Sequence, residues 1–169
     1  MLSLARRFSK AACERKRWSA LAAGLGFQYL DKPSRLMGDW SARLVYVEAR
    51  AKGVRVTTRL SRASRLRVEF AQRDALSKHS APSRLPLACG DPAFDARLLA
   101  FCDDREAAAS LLAPSLRARL LREAAVDVLG SGQTVRWDLP DLGKPDALGR
   151  TLDALAQIAA AMERFPAHA

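Results

Sequence analysis

Apolar and polar positions divide the chain into stretches of helical period and stretches of strand period. Over residues 1–27, Trp18, Leu21, Ala22 and Leu25 follow the i, i+3, i+4, i+7 spacing of one helix face, and Gly24 and Gly26 supply a stop. The second half of this helix is expected to pack on a core. Its first dozen residues bring Leu2, Leu4 and Phe8 together with Arg6, Arg7 and Lys10. Residues 1–13 therefore form either a solvated basic tail or an amphipathic helix lying on a membrane surface. Period two then takes over. Residues 43–50, 54–60 and 65–70 alternate and are rich in β-branched and aromatic side chains, which predicts three strands of an antiparallel meander, with Lys52-Gly53 at a hairpin turn. Val54, Val56, Thr58 and Leu60 share one face of the second strand, as do Leu66, Val68 and Phe70 of the third. The same alternation sends Arg55, Thr57 and Arg59, with Arg65, Arg67 and Glu69, to the opposite surface. In the first strand Tyr46 is placed with Leu44 on the core side.

Residues 72–86 follow neither period and carry Ser, Pro and charge, which predicts a long mobile loop. Beyond it, residues 97–102 read as a short strand. Asp103 reads as a helix N-cap with Glu106 at capping-box spacing, and Pro114 opens a second short helix. Residues 126–129 and 134–139 flank Gly130-Ser131-Gly132-Gln133 as a hairpin, with Trp137 inward. Residues 146–165 close the chain as a helix with the stripe Leu148, Leu152, Leu155, Ala159 and Met162. This order predicts an α+β fold: a curved antiparallel sheet or half-barrel packed against N-terminal and C-terminal helices, with residues 14–165 as a single domain. The early meander excludes a doubly wound parallel sheet, which needs strictly alternating strands and helices.

A chain of 169 residues, 49% apolar and 27% charged, suits one domain with a proper core. It has no apolar run of the about 18 residues that a spanning helix needs. Its net charge of +10 is unevenly placed: residues 1–85 hold 19 basic and 6 acidic side chains, residues 86–169 hold 9 and 12. That polarity points to an anionic partner, although arginine outnumbers lysine 22 to 6 in an Ala- and Leu-rich chain, a balance that GC-rich coding also produces. Three cysteines, Cys13, Cys89 and Cys102, form no Cys-x-x-Cys pair, and a reducing cytoplasm is their simplest setting. Arg6-Arg7-Phe8 has the look of a twin-arginine export signal. Glu14-Arg15-Lys16-Arg17 interrupts it, however, and no Ala-x-Ala site follows the apolar stretch, so a cytoplasmic location is expected.

The chemistry-bearing candidates are few. Gly90-Asp91-Pro92-Ala93-Phe94-Asp95 places two carboxylates four residues apart, and Asp103-Asp104 would join them if the intervening strand folded back. Without a His or Glu companion this set is better read as a turn: Phe94 plugs the core and Asp95 bonds backbone. His79 falls in the loop and His168 is the penultimate residue, so neither is placed as a general base. Cys89 and Cys102 read as small buried hydrophobes, and Gly24-Leu25-Gly26 lacks the features of a phosphate loop. No catalytic residue, cofactor or metal site is assigned. The arginine-rich surface of Arg55, Arg59, Arg65 and Arg67 is the candidate binding site. With no aromatic stacking platform beside it, it suits an acidic protein partner or another anionic surface better than bases. A nucleic-acid-associated protein is the alternative, and a metal-dependent enzyme with an Asp cluster the third reading.

Trp18, Leu21-Ala22, Leu25-Gly26-Phe27, Gly38 before a strand, Thr57-Thr58-Arg59, the Gly-Asp-Pro-x-Phe-Asp hexapeptide, Leu111-Leu112-x-Pro114-x-x-Arg117 and the long C-terminal helix together resemble bacterial proteins of myxobacterial type. The resemblance covers about residues 17–165. It implies a bacterial source and a shared fold, and it carries no activity with it. Ala113 stands where such sequences often have Thr, which weakens one helix cap.

Overall fold

The computed structural model describes the backbone of residues 2–74 and 85–167, and within these the side chains from residue 12 onward. Most of the expected loop at 72–86, His79 and His168 lie outside the described residues, as do the side chains of residues 1–11. Helix α1 covers Leu2–Leu25. Its end is a Schellman motif, in which the Phe27 N–H donates to the Ala22 carbonyl at 2.8 Å and Gly26 takes φ +69°, the left-handed conformation that favours glycine. Trp18, Leu21 and Ala22 are buried as the helical spacing requires, whereas Arg15, Lys16 and Arg17 are exposed.

Strands β1 (Gln28–Asp31), β2 (Ser34–Trp40), β3 (Arg43–Arg50) and β4 (Gly53–Gln72) follow as antiparallel neighbours. The first two are absent from the sequence reading. The β2–β3 turn explains part of this, because its central residues Ser41 and Ala42 both have positive φ, and neither is the Gly, Asn or Asp that marks such a turn. The expected second and third strands prove to be one, the 20-residue β4. It pairs with β3 over its first half and with β5 (Leu98–Cys102) over its second. Register shifts around Ser64 bend it, and the buried Ser64 hydroxyl lies 2.8 Å from the Met162 carbonyl and 3.0 Å from that of Phe165, pinning the bend to the end of the last helix.

Three short helices surround β5: α2 (Pro92–Arg97) before it, then α3 (Arg105–Leu111) and α4 (Pro114–Arg122). The cap of α3 is Asp104, not Asp103; its Oδ1 accepts the N–H groups of Glu106 and Ala107 at 3.0 Å. Asp103 is drawn to the sheet instead, where its Oδ1 accepts the Arg67 N–H at 2.9 Å. Ala113, at the N-cap of α4, makes no side-chain cap bond.

The expected hairpin at 130–133 is also overturned. Strand β6 (Asp127–Leu139) runs unbroken along β4, from Ala71↔Asp127 to Val54↔Leu139. Gly130 is a point of close approach: a Cβ there would overlap Met162 and Val68. Gly132 (φ +57°) lies where the register shifts opposite the bend in β4. Replacing Gly130 by valine is therefore expected to lower stability by about 1–3 kcal/mol through overpacking. Urea unfolding tests this, since at a solvated hairpin tip the change would cost far less.

Helix α5 (Pro145–Met162) crosses the concave side of the sheet, with Leu148, Leu152, Leu155, Ala159 and Met162 all buried. They meet Val56, Val68, Phe70, Val135 and Trp137 in one core that also takes Trp18 and Phe94. The fold is α+β: an open six-stranded antiparallel sheet with helices from both ends of the chain.

Candidate anion-binding face

All four candidate arginines sit on the convex surface of a single strand, because alternation along β4 keeps Val54, Val56, Thr58, Leu60, Leu66, Val68 and Phe70 on the core side. Their surroundings differ. Arg55 forms a bidentate pair with Asp138 on β6, Nε and Nη2 donating at 2.7 and 2.8 Å, and these bonds raise its pKa further above the ordinary arginine value. Arg65 meets Asp104 at 2.7 Å and lies over the Phe165 ring, 5.7 Å from its centroid. Arg67 donates through Nε and Nη2 to Glu69, whose side chain is fully buried. Arg59 is exposed and has no acidic partner within 4.0 Å among the described residues. The bend at Ser64 separates Arg55 and Arg59 from Arg65 and Arg67.

The missed strand β2 adds to this surface. Register places Arg35 opposite Glu48 and Met37 opposite Tyr46, with Tyr46 in turn opposite Thr57. Tyr46 and Leu44 therefore lie on the convex surface, and Val45 and Val47 fill the core, the reverse of the expected assignment. Both Leu-x-Tyr and Val-x-Val alternate, and only pairing with β2 and β4 decides between them. The Arg35 guanidinium stacks 5.5 Å from the Tyr46 ring centroid and reaches Glu48 at 3.5 Å. The indole N–H of Trp40 donates to Asp153 at 2.9 Å, on the helix side of the sheet.

Each carboxylate of the suspected acidic cluster has its own structural partners. Asp91 caps α2, accepting the Phe94 N–H at 3.2 Å, and its other oxygen is 3.3 Å from Arg117. Asp95 accepts the thiol and the N–H of Cys89 and the N–H of Gly90, at 2.9, 3.2 and 3.1 Å, and these bonds, the thiol's foremost, depress its pKa. Burial, followed by the bond to Asp95, raises the Cys89 pKa, so the thiol is a protonated donor rather than a nucleophile. The backbone N–H of Ala107, with further help from Arg65, lowers that of Asp104. Among the described residues, no group of three or more His, Cys, Asp or Glu side chains has the spacing of a metal site.

No protein-family model and no curated protein matches the chain. Among solved structures it is similar to the mycobacterial trehalose monomycolate transport factor A, TtfA, with a TM-score of 0.69 over 91% of this chain and 97% of that one, at 10% identity. At that identity the likeness is one of fold. No helix among the described residues is long and apolar enough to cross a membrane.

Proposed function

We propose that this protein is a non-catalytic interaction domain, acting in the cytoplasm, whose convex sheet surface binds an acidic protein partner or another anionic surface. The observation that carries this reading is the exposed Arg59, with no acidic partner within 4.0 Å among the described residues, on the same face as the exposed Leu44 of β3. Binding to a protein is favoured over binding to bases because the rings that the arginines of this surface meet, Tyr46 and Phe165, already carry Arg35 and Arg65 on their faces. The engaged carboxylates favour structure over metal chemistry, and three free cysteines suit a reducing compartment. Sharing a fold with a transport factor is compatible with a role that involves no reaction. Exposed Arg15, Lys16 and Arg17 on α1 would add an anionic membrane surface as a second contact.

A glutamate-rich 20-residue peptide and a single-stranded oligonucleotide of equal charge serve as probes, followed by fluorescence anisotropy at low salt. Arg59→Glu is expected to weaken peptide binding about tenfold and to leave the melting temperature nearly unchanged, since an exposed, unpaired charge contributes only about 0–1 kcal/mol. Unchanged peptide affinity would remove the face from consideration. Preference for the oligonucleotide with a steep loss of affinity in salt would replace the reading with the nucleic-acid one.

A further inference from the structure

We infer that the pocket between the segment after α4, the end of β6 and the start of α5 binds a primary ammonium group on a short alkyl chain, carried by a free amine or by a lysine side chain. The pocket has a volume of about 150 Å³, and a cavity of about that size holds a molecule of roughly six heavy atoms. Its walls are mainly apolar, formed by Ala125, Leu139, Leu142, Ala147 and Leu148, of which Leu142 and Leu148 are buried. The charged residues that line it are Glu123 and Asp141, both acidic.

Glu123 carries the argument. Its side chain is only 8% exposed, yet among the described residues its carboxylate receives a single hydrogen bond, from the Thr151 hydroxyl to Oε2 at 2.9 Å. Thr151 has one proton to give, and the Ala147 carbonyl competes for it at 3.2 Å. The other oxygen, Oε1, meets no donor within hydrogen-bond distance among the described residues and keeps accessible surface, so an incoming donor can reach it. Arg150 does not fill this role. It lines the neighbouring cavity on the other side of Glu123, its side chain is 54% exposed, and its Nε stops 4.0 Å from Oε1. Asp141 is exposed, and its contact with the exposed Arg17 is a loose 3.7 Å that solvent screens. A buried carboxylate without a charge-assisted hydrogen bond is unfavourable, and an ammonium group supplies one while its alkyl chain covers the apolar walls. An anion would instead meet two carboxylates and no cation in the lining.

Chemical-shift titration of the isotope-labelled full chain with n-butylammonium, n-butanol, n-butyrate and Nα-acetyl-lysine N-methylamide, at constant ionic strength, tests the proposal. n-Butylammonium is expected to shift the amide signals of Ala124, Ala147 and Thr151 saturably. The alcohol should bind about tenfold more weakly or worse, and n-butyrate not measurably. Binding of the lysine derivative as tight as that of n-butylammonium would identify a protein side chain as the occupant, and its exclusion a free amine. Glu123→Gln keeps the shape of the site and an acceptor for Thr151 while removing the charge, and should weaken n-butylammonium binding about tenfold. Ala147→Leu should abolish it by filling the pocket. Both variants should melt close to the parent. Absence of a saturable shift with n-butylammonium, equal binding of the alcohol, or full affinity in Glu123→Gln would each overturn the site. Arg59→Glu should leave amine binding intact, so failure here and failure of the convex-face reading are separately visible.

Discussion

Phe94→Ala is expected to lower the unfolding free energy by about 3–5 kcal/mol, a large share of the roughly 5–15 kcal/mol that holds a domain folded. Phe94 is completely buried, and it sits on a six-residue helix with no other buried side chain. A helix that short has almost no stability of its own. Asp91 and Pro92 set its start, and Phe94 is what fastens it to the core between β5 and α4. Truncation thus leaves a cavity and also frees the segment that carries Cys89, Asp91 and Asp95. Asp91→Ala removes the cap and the Arg117 contact while leaving the plug, and should cost about 1 kcal/mol. Urea unfolding of the two variants side by side checks the ordering. Equal costs, or a cost below 1 kcal/mol for Phe94→Ala, would show that the hexapeptide is held by its hydrogen bonds rather than by its aromatic ring.

That hexapeptide was readable in the sequence because its information is local: a turn-forming Gly-Asp-Pro, one large apolar residue and one carboxylate within reach of backbone N–H groups. The stripe of α5, the inward Trp137 and the alternation along β4 were readable for the same reason. What escaped depends on pairing between distant segments. Residues 54–60 and 65–70 look like two strands because the serines and arginine at 61–64 interrupt the pattern; only Ser64, held by carbonyls about 100 residues away, turns that interruption into a bend within one strand. Gly130 and Gly132 look like a turn because glycine is equally at home where another chain segment comes close, and Met162 is that segment. β2 contains Gly38 and Asp39, poor strand formers that β3 holds in register opposite Val45 and Leu44. Of the convex surface, Arg55, Arg59, Arg65 and Arg67 could be placed from parity alone. Their partners Asp138 and Asp104 could not, nor could Arg35 and Tyr46, since these depend on which strands are neighbours. The pocket at Glu123 was hidden for a similar reason, being assembled from the segment after α4, the end of β6 and the start of α5.

Glu163→Gln is expected to lower stability by about 2 kcal/mol at pH 7 and by almost nothing near pH 2. Glu163 follows the last turn of α5 and receives both Nη groups of Arg43 at 2.7 Å, together with the Ser61 N–H at 2.5 Å, so one carboxylate ties the C-terminal helix to β3 and to the bend of β4. The two side chains are only 13% and 18% exposed, which separates this pair from the looser ion pairs of the surface. The hydrogen bonds from Arg43, with that from Ser61, lower the Glu163 pKa from 4.5 to about 2. A carboxylate whose pKa is depressed on folding contributes its full stability above the unfolded value and loses it as the pH falls through the folded value. The difference between parent and variant should therefore be constant above about pH 5, shrink between pH 4.5 and 2, and vanish below. A depression from 4.5 to about 2 would correspond to about 3 kcal/mol, and residual solvent screening together with the acceptor kept by glutamine brings the expectation to about 2. Chemical unfolding at a series of pH values measures it. A gap between the two proteins that persists undiminished at pH 2 would mean that Arg43 and Glu163 act through packing rather than charge. No gap at pH 7 would mean that Ser64 alone anchors the end of α5 to the sheet.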